Sequence, residues 1–306
     1  MDIRYFYQTL IAKEMPILVD RDPVNTYLRE QGYQTILFDD YDFTRKQAVF
    51  AIISDYHYHD RLIELSQTSE STVVHLLAVR YDPSLKAIAY SFEQLLSGNL
   101  EQALGLRAKA YDKIAEAEEA LYLSDLRGSK LKCYLSESLE VLNTTDELNS
   151  GWFYSIAEFW ESSLVNIKGN KSSFSVEGTF FFDGIIYACA NPVVRDGNRE
   201  ALTYLLNRVA SSEEKYVEFE DNAITRLVID GRDETSILLN MNYELERNLT
   251  LTEIGFGCNT ALVKNIDWQV NSLMNQGMYG MHLGIGMAQK CPYIDFISQT
   301  IKLVED

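Results

Sequence analysis

Three stretches near the C-terminus decide the reading: Leu251-Thr-Glu253-Ile-Gly-Phe-Gly257-Cys-Asn-Thr260, Gly280-Met-His282-Leu-Gly-Ile-Gly286 and Tyr293-Ile-Asp295-Phe-Ile297. The first sets a carboxylate beside Gly-x-Gly. The second places a histidine in an apolar run that ends in Gly-x-Gly. In the third, an aspartate follows an aromatic by two places, which in a strand puts both on one face. Carboxylate, imidazole and carboxylate are sound ligands for a divalent metal. Neither Gly-x-Gly pair has the third glycine or the basic residue of a phosphate loop. Both read as tight backbone packing in sheet turns.

Upstream of these stretches, from about residue 150, glycine, asparagine, serine and aromatics are frequent and apolar residues alternate with polar ones. Phe174 to Gly184 fits strands joined by turns, and Tyr216–Phe219 and Leu227–Ile229 fit short strands near Asp-Asn and Asp-Gly turn signals. Helices are predicted over 198–211 and 234–247. The first half has a different texture. Pro16–Val19, Thr35–Phe38, Ala48–Ile53 and Val73–Leu77 are short apolar runs separated by helical stretches, the pattern of a buried parallel sheet. Asp22-Pro23 marks a helix start. Residues 83–121 read as helix, divided at Gly98-Asn99, and Lys130–Leu135 as a strand. The fold class is therefore mixed, α/β and α+β: an N-terminal α/β and helical region over 1–145, then a β-rich domain over 146–306.

Composition narrows the function. The 306 residues carry a formal net charge of −18, which repels nucleic acid and anionic membranes and attracts a basic peptide or protein. No apolar run approaches the roughly 20 residues of a membrane span, and Met1–Tyr7 has no signal-peptide pattern. A cytoplasmic protein is expected. Cys133, Cys189, Cys258 and Cys291 are widely spaced, so buried free thiols are expected rather than a zinc knuckle or disulfides. His57 and His59 form an HxH within Asp55–Asp60. They could bind a metal if a further ligand arrived, but read as an exposed loop or strand end. His75, inside an apolar run, reads as a hydrogen-bonded core residue.

The three C-terminal stretches resemble the aminopeptidase T family of metallopeptidases, and the dihydroxypyridine dioxygenases that share its C-terminal fold. Glu253, His282 and Asp295 match the metal-ligand positions of the family's motifs. Glu158, in Ala157-Glu158-Phe-Trp160, stands where the family has an earlier glutamate, and Val176–Gly184 resembles the strand that follows it. The resemblance spans roughly residues 105 to 300 and implies an aminopeptidase-T-like C-terminal domain and a homodimer. Two departures matter. Tyr293 stands where the family has a histidine, and a neutral phenol is a much poorer ligand. The segment between His282 and Asp295 is also shorter, and the whole chain looks shortened for such a peptidase.

Neither a two-metal hydrolase nor a single-iron facial triad is then complete. The sequence is similar to metal-free relatives that hold precursor peptides for modifying enzymes in the biosynthesis of ribosomally made, modified peptides. The expectation is a non-catalytic peptide-binding protein without a cofactor, with Glu253, His282, Asp295, Tyr293 and Glu158 as a remnant metal site. Two alternatives stay open. One is an active aminopeptidase or dioxygenase with zinc or another divalent metal on those residues. The other is a dimeric assembly protein.

Overall fold

The computed structural model describes residues 1–142, 145–241 and 249–304. The chain runs through α1 (Ile3–Ile11), β1 (Ile17–Val19), α2 (Asp22–Glu30), β2 (Thr35–Leu37), β3 (Ala48–Ile52), α3 (Tyr56–Leu65), β4 (Thr72–Leu76), α4 (Leu85–Ser97) and α5 (Leu100–Glu116). Next come β5 (Ala120–Ser124), β6 (Lys130–Leu135), β7 (Val141–Leu142), β8 (Phe153–Ser155), β9 (Glu161–Val165), β10 (Phe174–Phe181), β11 (Gly184–Ala188) and α6 (Pro192–Ala210). It ends with β12 (Lys215–Glu220), β13 (Ala223–Ile229), β14 (Arg232–Asp233), α7 (Thr235–Leu239), β15 (Leu251–Gly257), β16 (Gly280–Ile285), β17 (Tyr293–Ser298) and β18 (Lys302–Val304).

The four apolar runs of the first half form a parallel sheet in the order β2-β1-β3-β4-β8. Side chains of the helices cover it. Phe6, Leu10, Ile88 and Phe92 join one face, and Leu62 of α3 joins the other. The second half builds two antiparallel sheets, β14-β13-β12-β10-β6-β5-β18 and β11-β17-β16-β15-β9-β7. Phe180, Val217, Ile254, Leu283 and Phe296 meet between them in one buried cluster, so one face of each sheet closes a sandwich core. β8 completes the parallel sheet from beyond residue 145, while β5, β6 and β7 join the antiparallel sheets from before it. The sheets thus cross the expected boundary in both directions.

Local signals explain most elements. Ser84 and Asn99 cap α4 and α5, and Asn191 caps α6 with Pro192 in its first turn. Three expectations need correction. The helical stretch ends at Glu116 rather than near 121, because Ala120–Ser124 alternates and pairs with β6. His57 and His59 lie in a helix, not a loop or strand end, since Asp55 caps α3 by accepting from the His57 amide at 2.8 Å. His75 sits in β4 between Ala51 and Ser155, yet its Nδ1 has no hydrogen-bond partner. Burial, with the Arg80 charge nearby, pushes its pKa down to about 3, so it stays neutral. Of the helix expected over 234–247, Thr235–Leu239 is helical, and 242–247 lies outside the described residues. The four cysteines are buried, and Cys133, Cys189 and Cys258 are free thiols. Among the described residues no helix is long and apolar enough to cross a membrane.

Candidate functional site

Strands alternate faces, so register decides which side chains meet. In the six-stranded sheet Gly255 lies opposite His282 on one side and Ser163 on the other. Gly284 lies opposite Glu253 and Asp295, and Gly257 opposite Glu161. Glu161, Glu253, His282, Tyr293 and Asp295 therefore share the sheet face turned away from the sandwich core, with three glycines among them. A Cβ on Gly255 would fall 2.0 Å from both Cε1 and Nε2 of His282. One on Gly284 would fall 2.4 Å from the Tyr293 hydroxyl. These glycines lie in strand interiors, not turns, and make room for the polar side chains.

The group is deeply buried: His282 and Asp295 are 0% exposed and Glu161 5%. The Tyr293 hydroxyl lies 2.7 Å from Glu253 Oε2 and 2.6 Å from Asp295 Oδ1. His282 Nε2 lies 3.7 Å from Glu253 Oε1 and 4.0 Å from Glu161 Oε2. The Gln276 amide is 3.4 Å from the same nitrogen. Glu161 Oε2, Asp295 Oδ2 and His282 Nδ1 have no hydrogen-bond partner.

The distances count protons. A phenol has one hydrogen, yet it makes two contacts of hydrogen-bond length to carboxyl oxygens. A second proton shared within the group satisfies both contacts, and burial favours the Asp295 carboxyl as its seat. Burial pushes the Asp295 pKa up to about 7, with the Glu253 charge adding to the rise. Burial raises Glu161 well above the usual carboxyl range. Burial opposes charge on His282 as well, but Asp295, Glu253 and Glu161 outweigh it and lift the imidazole to about 9. Glu253 is held low despite burial by His282 and its hydrogen bonds. Near neutral pH the His282 imidazolium and the Glu253 carboxylate thus sit among a phenol and two carboxyls whose ionisation burial opposes.

This sets the fit for a metal. The place between Glu253 and Asp295 is taken by a protonated oxygen, so this part of the cluster does not fit a divalent cation. Among the described residues, no group of three or more His, Cys, Asp or Glu side chains is arranged to hold a metal ion.

The proton on Asp295 has a sign that can be tested. A carboxyl whose folded pKa is raised stabilises the fold fully below its unfolded value of 3.8 and loses that contribution as pH rises through about 7. The stability difference between the wild type and Asp295→Asn should therefore move against the wild type across that window. Urea unfolding at stepped pH reads it, and a flat difference would contradict the protonated Asp295.

Four of the five expected site residues meet here. Glu158 does not. Its carboxylate accepts from the Ser155 amide at 3.0 Å in a capping box, and Glu161, three residues on, faces His282 instead. The pattern Ser155-x-x-Glu158 is a capping signature legible in sequence. Gln276, Arg80 and Tyr81 were also missed. A cavity of about 230 Å³ is lined by Glu253 and Tyr293 and also by Arg80 and Tyr81, which follow β4 of the parallel sheet.

A family model described as crocagin biosynthetic protein CgnE/B matches residues 12–304. No curated protein sequence matches the chain. Among solved structures, wild-type AmpT from Thermus thermophilus aligns with a TM-score of 0.51 and 12% identity, over 94% of this chain and 89% of that one. The 2,5-dihydroxypyridine dioxygenase of Pseudomonas putida KT2440 aligns with a TM-score of 0.51 and 12% identity, over 98% and 92%. At this identity the likeness shows the fold alone. It runs through the N-terminal half too, beyond the 105–300 span carried by the motifs, and the chain covers most of both structures, so it is far less shortened than expected.

Proposed function

The chain belongs to the crocagin biosynthetic CgnE/B family, a family of ribosomal-peptide biosynthesis, and from that premise we propose that it is a non-catalytic peptide-binding protein. It holds a precursor peptide for modifying enzymes on a scaffold that resembles a metallopeptidase, works without a metal, and acts in the cytoplasm as a homodimer. The observation that carries the reading is the Tyr293 hydroxyl between Glu253 and Asp295, at 2.7 and 2.6 Å. Protons shared across this cluster balance the charges that a hydrolase would spend on a cation and an activated water. An accessible cavity remains beside the cluster and can take part of a ligand. Extended peptide backbone is commonly held on such folds by addition to a sheet edge, which needs no metal. The net charge of −18 favours a peptide with a basic segment.

Selection of a displayed library of linear peptides against the full chain tests this. We expect enrichment of linear sequences with Lys- or Arg-rich segments that bind one per chain and are recovered uncut. Failure to enrich any sequence, or recovery of peptides trimmed at their amino terminus, would overturn it.

A further inference from the structure

The cavity is lined by a cation that no carboxylate among the described residues pairs. Arg80 ends the short 3-10 turn Ala78–Arg80 that follows β4, and its carbonyl accepts from the Cys189 amide at 2.9 Å. Its Nε donates to His59 Nε2 at 2.9 Å. That nitrogen accepts, so the His59 proton sits on Nδ1, which lies 3.1 Å from Asp60 Oδ1. His59 is 2% exposed and is fixed by α3, whose Tyr56 hydroxyl donates to the Cys189 carbonyl at 3.1 Å. With Nε fixed, the guanidinium plane is fixed. Its two terminal amino groups have no hydrogen-bond partner and no carboxylate in contact among the described residues.

Tyr81 adds a second donor beside it. Burial keeps its phenol protonated, and its hydroxyl has no hydrogen-bond partner among the described residues. Arg80 and Tyr81 both line the cavity, so a guanidinium with two unpartnered amino groups and a phenol stand at its wall. A planar carboxylate matches that guanidinium with two parallel bonds. The volume of about 230 Å³ is below the roughly 300–1,000 Å³ of ordinary small-molecule sites and suits one residue-sized group.

We propose that this cavity binds one carboxylate of a peptide ligand, with Arg80 recognising it and the Asp60–His59 pair holding Arg80 in position. The proposal rests on the peptide-binding reading and names what the pocket end of the peptide must carry. The carboxylate is either the peptide's C-terminus or an Asp or Glu side chain. A polyanion is disfavoured by the overall charge of −18.

The test uses three probes on the full chain: N-acetyl-Ala-Ala, its C-terminal amide, and N-acetyl-Ala-Glu-Ala amide. Binding is followed by the arginine Nε–H signals in proton–nitrogen spectra. One carboxylate probe should bind saturably and shift the Arg80 signal, while the plain amide should not. Preference for the first probe assigns the C-terminus, and preference for the third assigns a side chain. Arg80→Gln should weaken binding at least about tenfold, as expected for a charge-assisted pair, while still unfolding in one cooperative transition. His59→Leu should weaken it similarly, whereas His59→Gln, which keeps an acceptor, should restore it. Equal binding of acid and amide, or an Arg80→Gln protein that binds like the wild type, would overturn the proposal. Equal binding by His59→Leu would overturn the positioning role. The two readings fail separately. A selected peptide that binds equally well as acid and amide removes the carboxylate pocket but leaves peptide binding in place. Small carboxylates captured by Arg80 with no peptide selected do the reverse.

Discussion

His282→Leu is expected to destabilise the protein by about 3–5 kcal/mol, the usual cost of removing one partner from a buried ion pair. His282 is fully buried and is the one charged base in contact with Glu253 and Glu161 among the described residues. Without it the Glu253 carboxylate has no counter-charge, and it must either stay ionised in a low-dielectric interior or take up a proton. The loss should depend on pH in a definite direction. His282 has a folded pKa raised to about 9 from 6.5, so its contribution is complete below 6.5 and fades as pH rises through 9. Urea unfolding at pH 6 and pH 9.5 should show a larger deficit at the lower pH. Adding Glu253→Gln should recover part of the loss, because the orphaned charge goes with it. A deficit below about 1 kcal/mol, typical of an exposed pair, would mean that the imidazole is not the buried cation described here.

Gly255→Ala should act in the opposite sense from backbone propensity. Glycine weakens a strand interior by roughly 0.5–1 kcal/mol relative to alanine, so propensity alone predicts a more stable protein. The site predicts a less stable one. The new Cβ would lie 2.0 Å from two ring atoms of His282, and the ring is hemmed in by Gln276 and Glu161. Overpacking of this kind costs about 1–3 kcal/mol, and displacing the imidazole from Glu253 adds to it. The penalty should largely vanish in a His282→Ala background, where the ring is gone. Thermal unfolding of the two single variants and the double variant reads the coupling. A Gly255→Ala protein as stable as the wild type would show that the ring has space the structure denies it.

Much of this was legible in the residues themselves. The period-two alternation and short apolar runs placed β1 to β4, β6, β10, β12, β13, β16 and β17 but not β5, β7, β8, β9, β14 or β18, and the parallel sheet followed from β1 to β4 lying between helical stretches. The three C-terminal stretches identified Glu253 and His282 as ligand-type side chains beside Gly-x-Gly, and Tyr293 with Asp295 because residues two apart share a strand face. Glu161 was hidden because it belongs to the site only through the register of β9 against β15, and pairing between distant strands is not written in either one. The capping motif around Glu158 drew attention three residues too early. Arg80 and His59 could not be joined from sequence. One follows β4, the other lies in α3, and only packing brings the guanidinium to the imidazole. The two glycines show how a local pattern can be seen and misjudged. Gly-x-Gly suggested turns, whereas Gly255 and Gly284 are cross-strand neighbours of bulky polar side chains.

The central claim is that protons shared among Tyr293, Asp295 and Glu253 occupy the place of a metal. Elemental analysis of the purified protein, before and after incubation with zinc, manganese and ferrous iron, tests it most directly. Tyr293→His, which puts a neutral nitrogen donor between the two carboxylates, provides the comparison. The account predicts near-zero metal in the wild type under every condition and a gain of bound metal in the variant. One or more tightly held ions per wild-type chain would contradict it.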